Sequence, residues 1–193
     1  MEIRKAAESD INAVEIIYQN VHAAEAKGIT HTGWQKDVYP LRTTAEAALK
    51  RGDLYVMTDG ENTVATAIIN RIQVDVYEGA AWEYAACDDE VLVLHTLAVD
   101  PMFAGKGYGT AFVAYYEKTA KALGCHVLRM DTNAINFPAR RLYAKLGYQE
   151  ADVVPCVFNG IEGVKLVLLE KKVGELGEAA LAGVTGGGEL RLR

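Results

Sequence analysis

Leu97-Ala98-Val99-Asp100-Pro101-Met102-Phe103-Ala104-Gly105-Lys106-Gly107-Tyr108-Gly109-Thr110 is the stretch on which the reading of this chain turns. Its first residues close a mostly apolar run from Val91, which reads as a central strand. Phe112, Val113, Tyr116, Ala120 and Leu123 then recur at helical spacing up to Gly124. Strand, glycine loop and helix in that order suit a pyrophosphate. Glycine adopts positive φ and puts no β-carbon in a ligand's way, while a helix N-terminus adds unpaired N–H donors and partial positive charge. A glycine-rich turn with no ligand is the plain alternative. Two other phosphate loops fit less well. A P-loop needs Ser or Thr after its lysine, and Lys106 is followed by Gly107. A dinucleotide loop needs a third glycine where Thr110 stands, and the Asp100–Phe103 turn is long for it.

Outward from the loop, Val127 to Thr132 reads as a strand and Asn136 to Leu146 as a helix ended by Gly147. Two strands, about Gln149 to Phe158 and Val164 to Glu170, flank the turn Asn159-Gly160. Towards the N-terminus, Leu54 to Thr58 and Thr63 to Val76 form a hairpin about Asp59-Gly60. Ile3 to Ala7 is a first strand. Ser9 or Asp10 caps a helix that buries Ile11, Val14, Ile17, Tyr18 and Val21, and Thr43 or Thr44 caps a second helix that ends at Gly52. Tyr77 to Glu90 has no readable pattern. Residues 1–173 are expected to form one domain. Gly174 to Arg193, with six glycines and no aromatic residue, reads as a mobile tail.

Composition narrows the classes. Half of the 193 residues are apolar, enough for a sizeable core. A net charge of -6 with interspersed signs offers no footprint for nucleic acid. The longest apolar runs fall well short of the ~20 residues that cross a bilayer, and Met1-Glu2-Ile3-Arg4-Lys5 lacks a signal peptide's apolar stretch. A cytoplasmic location is expected. Cys87, Cys125 and Cys156 are odd in number and widely spaced, so neither a metal site nor a disulfide framework is expected.

At two segments the chain resembles the GNAT superfamily of acyl-CoA-dependent N-acyltransferases. One is the glycine loop with its Leu97-Ala98-Val99-Asp100-Pro101 lead, matching [QR]-x-x-G-x-[GA] except that Ala104 stands where Gln or Arg is usual. The other is N-x-x-N-x-x-A-x-x-L-Y-x-x-L-G-[FY], filled by Asn133, Asn136, Ala139, Leu142, Tyr143, Leu146, Gly147 and Tyr148. The resemblance extends over about Ile3 to Lys172. It implies an α/β fold of mixed α+β type. A twisted sheet of about seven strands, splayed between its fourth and fifth, would be flanked by about four helices. Val91–Val99 and Val127–Thr132 would be the splayed parallel pair.

The resemblance also implies acetyl-CoA as cosubstrate. Leu97, Ala98 and Val99 would pair with its pantetheine arm. Ala104, Gly105, Lys106, Gly107, Tyr108, Gly109 and Thr110 would hold the pyrophosphate, and Asn136 would touch the pantetheine or acyl region. Tyr143 matches the family tyrosine that gives a proton to the departing thiolate, although a core tyrosine would show the same helical spacing. His95 resembles a histidine that helps deprotonate the amine in arylalkylamine N-acetyltransferases, with Val93 where those enzymes have a second one. Period-two alternation sets His95, Leu97 and Val99 on one face. His31, Trp34 and Tyr39 fall where the family shapes its acceptor pocket. The expected activity is direct acetyl transfer to a primary amine, on a small molecule or a peptide, in a ternary complex. A CoA-binding sensor of the same fold is the alternative. The oligomeric state stays open, a homodimer included.

Overall fold

The computed structural model describes residues 1–174. Beyond Gly174, the tail read from the sequence lies outside the described residues. In chain order the elements are β1 (Glu2–Lys5), α1 (Ile11–Ala26), α2 (Arg42–Arg51), β2 (Leu54–Asp59), β3 (Asn62–Asn70), β4 (Val91–Val99), α3 (Tyr108–Ala122), β5 (Val127–Asn133), α4 (Phe137–Lys145), β6 (Gln149–Phe158) and β7 (Ile161–Lys172). The strands form one seven-stranded sheet in the order β1-β2-β3-β4-β5-β7-β6. Every neighbouring pair is antiparallel except β4 and β5, which run parallel. The expected mixed sheet with a parallel central pair and four α-helices is therefore present.

Alternation along the central strands serves two faces at once. On one face Leu92, Leu94, Leu128, Met130, Val167 and Leu169 pack under α3, against Phe112, Val113 and Tyr116. On the other, Ile11, Val14, Ile17 and Tyr18 of α1 cover Leu54, Val56 and Ile68. Each such side chain stabilises the fold by roughly 1.5–3 kcal/mol. The Tyr116 hydroxyl is shared between the carbonyls of Leu92 on β4 (2.5 Å) and Arg129 on β5 (3.0 Å). It ties the two parallel strands together from the helix side.

Three details depart from expectation. β3 stops at Asn70 rather than continuing to Val76, because the chain leaves the sheet there and Ile72 N–H turns back to Asn70 Oδ1 (2.9 Å). Thr44 does not cap α2 from outside. It sits within the first turn, and its Oγ1 reaches back to Leu41 N–H (3.0 Å). The patternless segment before β4 is irregular yet anchored. Buried Glu170 accepts from the N–H groups of Glu83 (2.5 Å) and Tyr84 (3.4 Å). Arg129 donates to Tyr84 O (3.1 Å) and stacks under Trp82, 4.2 Å from the ring centre. The anchors lie on β5 and β7, so no local periodicity announces them.

Candidate active site

β4 and β5 pair only from Val91↔Val127 to Leu94↔Met130. Beyond that register they separate, and a cleft of about 340 Å³ opens between them. A bulge accompanies the separation. β3 pairs Thr66 with Ala98 and Ile68 with His95, so Ala67 faces two residues, Thr96 and Leu97. Thr96 takes φ 51°, uncommon for a β-branched residue. The bulge overturns the expected alternation. Leu97 and Val99 point to the α3 face with Leu92 and Leu94. His95 follows Val91 and Val93 on the opposite face. An extra residue in a strand flips every later side chain, and composition carries no sign of it.

The glycine loop forms as expected. Gly105 and Gly107 both have positive φ, 79° and 82°. Gly107 is the N-cap of α3, and the first bond back into the loop is Ala111 N–H to Gly107 O (3.0 Å). Among the described residues, the main-chain N–H groups of residues 105–110 have no partner. Six donors in succession at a helix N-terminus fit a pyrophosphate. Tyr108 turns its side chain away from the loop and donates to Asp59 Oδ2 (2.6 Å) at the β2–β3 turn. It fastens the loop rather than offering a ligand group. Lys106 lies over the Phe103 ring, 5.3 Å from its centre. Ala104 adds no polar group, so the site rests on main-chain donors.

α4 starts from Asn136, whose side chain accepts from Ala139 N–H (3.3 Å). Asn136 is therefore a helix cap as well as a residue lining the cleft. Tyr143 follows two turns on and also lines the cleft. It is 6% exposed, and burial raises its pKa above the ordinary tyrosine range, with Asp131 adding to the shift. The hydroxyl stays protonated and has no hydrogen-bond partner among the described residues. A buried tyrosine O–H without a partner, open to a cleft, can donate a hydrogen bond to a group that enters it.

His95 lines the same cleft. Burial lowers its pKa to about 4, opposed by a hydrogen bond from the ring to the Ile72 backbone. Its Nε2 meets Asn70 Oδ1 at 3.1 Å. Asp131 on β5 was not singled out from the sequence as part of this site. It too lines the cleft, and Tyr77 O–H donates to its Oδ2 (2.8 Å). Burial raises the Asp131 carboxyl to about 6, while the Tyr77 hydroxyl pulls the other way. Among the described residues no cation pairs with it. Arg129 already places a charge in the same strand, so a second one at Asp131 did not mark a site in the sequence.

The α1–α2 connection roofs the cleft. Trp34 and Tyr39 line it, ring centres 6.0 Å apart and edge to face. The Tyr39 hydroxyl bonds Thr96 Oγ1 at the bulge, and His22 Nε2 holds Tyr39 O at 3.0 Å. Gly33 passes so close to β5 that a β-carbon there would lie 2.1 Å from Asn133 Nδ2. His31 is exposed and does not line the cleft, unlike the Trp34 and Tyr39 grouped with it from the sequence. His126 sits away from the site beside Glu90, at 3.7 Å.

Residues 20–148 match the family model described as Acetyltransferase (GNAT) family. An uncharacterized N-acetyltransferase of Methanocaldococcus jannaschii is 35% identical over 65 residues, 34% of this chain and 29% of that protein. The chain thus spans under a third of the length of this relative. Among solved structures, an acetyltransferase of the GNAT family from Streptococcus agalactiae superposes with a TM-score of 0.76 at 22% identity, covering 90% of this chain and 96% of that one. The protein yncA of Salmonella typhimurium, solved with its cofactor acetyl-CoA, gives 0.64 at 18% identity over 91% and 95%. At these identities the structural likeness is one of fold.

Proposed function

The chain belongs to the acetyltransferase (GNAT) family, and on that premise we propose that it moves an acetyl group from acetyl-CoA to a primary amine by direct attack in a ternary complex. One observation carries the reading. The unpartnered Tyr143 hydroxyl lines the cleft where β4 and β5 part, and the six free N–H groups of residues 105–110 lie at the start of α3, where Gly109 comes against Val99 at the end of β4 and Leu142 beside Tyr143. The pyrophosphate sits on the loop donors, and Leu97, Ala98 and Val99, unpaired on the β5 side, take the pantetheine arm as an added strand. Asn136 borders the acyl end.

The acceptor enters beneath Trp34 and Tyr39 as an ammonium ion and meets Asp131. A free alkylamine has a pKa of ~10 and must lose a proton before it attacks. Burial raises the Asp131 carboxyl and lowers the His95 imidazolium, so the carboxylate is the better proton acceptor of the two. His95 stays neutral and accepts a hydrogen bond from the amine. That narrows the role of base expected from the sequence. Nitrogen attacks the thioester carbonyl, a main-chain N–H near Val99 faces the oxyanion, and the C–S bond breaks as Tyr143 protonates sulfur. Nitrogen sheds its remaining extra proton, which restores Tyr143, and Asp131 releases the first, so the net products are the amide, free CoA thiol and one proton.

Release of free thiol from acetyl-CoA, measured across a panel of small amines and peptides, tests the reading. Acetyl-CoA binding with no thiol release from any amine would favour the sensor alternative, to which Ala104 lends support. No binding at millimolar acetyl-CoA would defeat both.

A further inference from the structure

We infer that Asn70 and Asp53 act as positioning residues that hold His95 in a single tautomer, protonated on Nε2 and accepting on Nδ1. The consequence for turnover rests on the amine-acetylating role of the cleft. The tautomer itself does not.

The inference follows from donor and acceptor counting. Asp53, 8% exposed, lies between α2 and β2 and is held by Arg51 through Nε (2.8 Å) and Nη2 (3.2 Å). So paired with a guanidinium, its oxygens act as hydrogen-bond acceptors. Asn70 Nδ2 donates to Asp53 Oδ2 at 2.8 Å. On its other side Asn70 Oδ1 receives the main-chain N–H of Ile72 at 2.9 Å. Turning the amide over would set oxygen against carboxylate and NH₂ against N–H, two repulsive contacts in place of two bonds. Asn70 therefore presents oxygen, not nitrogen, to His95 Nε2 at 3.1 Å. An oxygen acceptor needs a proton on Nε2. In a neutral ring Nδ1 then carries the lone pair.

The relay joins the starts and ends of three adjacent strands: Asp53 before β2, Asn70 closing β3 and His95 in β4, one residue before the bulge. Rotation of the ring would break its bond to Asn70, so the relay sets ring orientation as well as tautomer. It spends Nε2 on the scaffold and leaves Nδ1 as the ring's acceptor, which for an amine is the polarity required: N–H donates and Nδ1 accepts.

The test is nitrogen NMR on the full chain labelled with ¹⁵N-histidine, with His95 assigned by the signal missing in His95→Gln. The expected result is a pyrrole-like Nε2 and a pyridine-like Nδ1, unchanged between pH 6 and 8 without any cosubstrate. In Asn70→Ala the two signals should move towards each other as the tautomers mix. There kcat should fall roughly tenfold or more, part of the ~10²–10⁴-fold that acid–base groups contribute, with acetyl-CoA affinity within twofold of the parent. If Asn70→Ala does not fold, Asp53→Asn is read instead, since it frees the amide to turn and should also mix the tautomers. A pyrrole-like Nδ1 in the parent, or a folded variant with unaltered His95 signals, overturns the inference. The expected tautomer in a chain that releases no thiol would leave the relay standing and defeat the proposed activity instead.

Discussion

Leu94 and Met130 are the last residues to pair across β4 and β5. The Tyr116 hydroxyl grips both strands just below, at Leu92 and Arg129. Above, the bulge at Thr96 turns β4 over, so that Leu97 and Val99 face α3 while His95 faces the acceptor side. One short stretch of strand thereby presents side chains to both faces of the sheet where the cleft opens.

The loop can be tested without any acceptor. Acetyl-CoA should raise the melting temperature of the parent by linkage, by about 2.7 kcal/mol of stability at a hundred times Kd. Gly107→Val should lose that shift, since Gly107 sits at φ 82° where a β-branched residue is strained and its main chain must approach phosphate. Calorimetry well below the variant's own melting point separates lost binding from lost stability. Undiminished affinity in the folded variant would reduce the loop to a turn.

Tyr143→Phe should lower kcat by ~10²–10⁴-fold and leave acetyl-CoA affinity and melting temperature nearly unchanged. The ring keeps its edge-to-face contact with Tyr148 (6.1 Å between centres), and the hydroxyl it loses bonds nothing among the described residues. Pre-steady-state thiol release is the measurement. An unaltered chemical step would make Tyr143 a packing residue.

Burial lifts Asp131 from 3.8 to about 6. Between those values the folded chain holds a proton that the unfolded chain has lost, so stability falls as pH rises through the window and the loss is complete above it. Asp131→Asn should therefore melt higher than the parent at pH 8, with the gain gone near pH 4. Its KM for amine should rise. The acid limb of kcat/KM near pH 6 should be present in the parent and in His95→Gln and missing in Asp131→Asn. His95, at about 4, contributes none there, although His95→Gln should still turn over more slowly at pH 7. A limb that survives in Asp131→Asn would give the titration to another group.

Gly33→Ala places a methyl where Asn133 Nδ2 lies 2.1 Å away, at φ 74°. The roof should lift, raising KM for amine while the affinity for acetyl-CoA holds. Adding Asn133→Ala should recover part of the loss, because space returns while the backbone strain remains. Equal KM in all three chains would show that the roof does not touch the acceptor.

What the sequence disclosed and what it withheld divide along a physical line. Gly105, Gly107, Asn136 and Tyr143 were legible because loop, cap and helix face are local patterns with fixed spacing. The number of strands, the splay and the parallel pair came with the family resemblance those residues carry. The Thr96 bulge was not legible, since it depends on how β3 and β4 count against each other. His95 was picked out, but its face was misjudged for that reason. Asp131, Asn70 and Asp53 have meaning only through partners 17 to 54 positions away, a distance no periodicity spans. His31 fell within the same irregular connection as Trp34 and Tyr39 and turned outward.

The strand order has a consequence for how the chain is made. Among the described residues β7 is the last strand in sequence, yet it lies between β5 and β6 and supplies Ile161, Val164 and Leu166 to the cleft. As the chain leaves the ribosome, the glycine loop and α4 emerge while β5 still has an open edge. That edge belongs to an apolar strand, the sort that pairs with whatever strand it meets. Until residue 172 is out, nothing of this chain fills the place that β7 takes beside β5. This wall of the cleft is thus added after the phosphate loop, and a nascent chain stalled before Ile161 would carry the loop without the β7 side of the cleft.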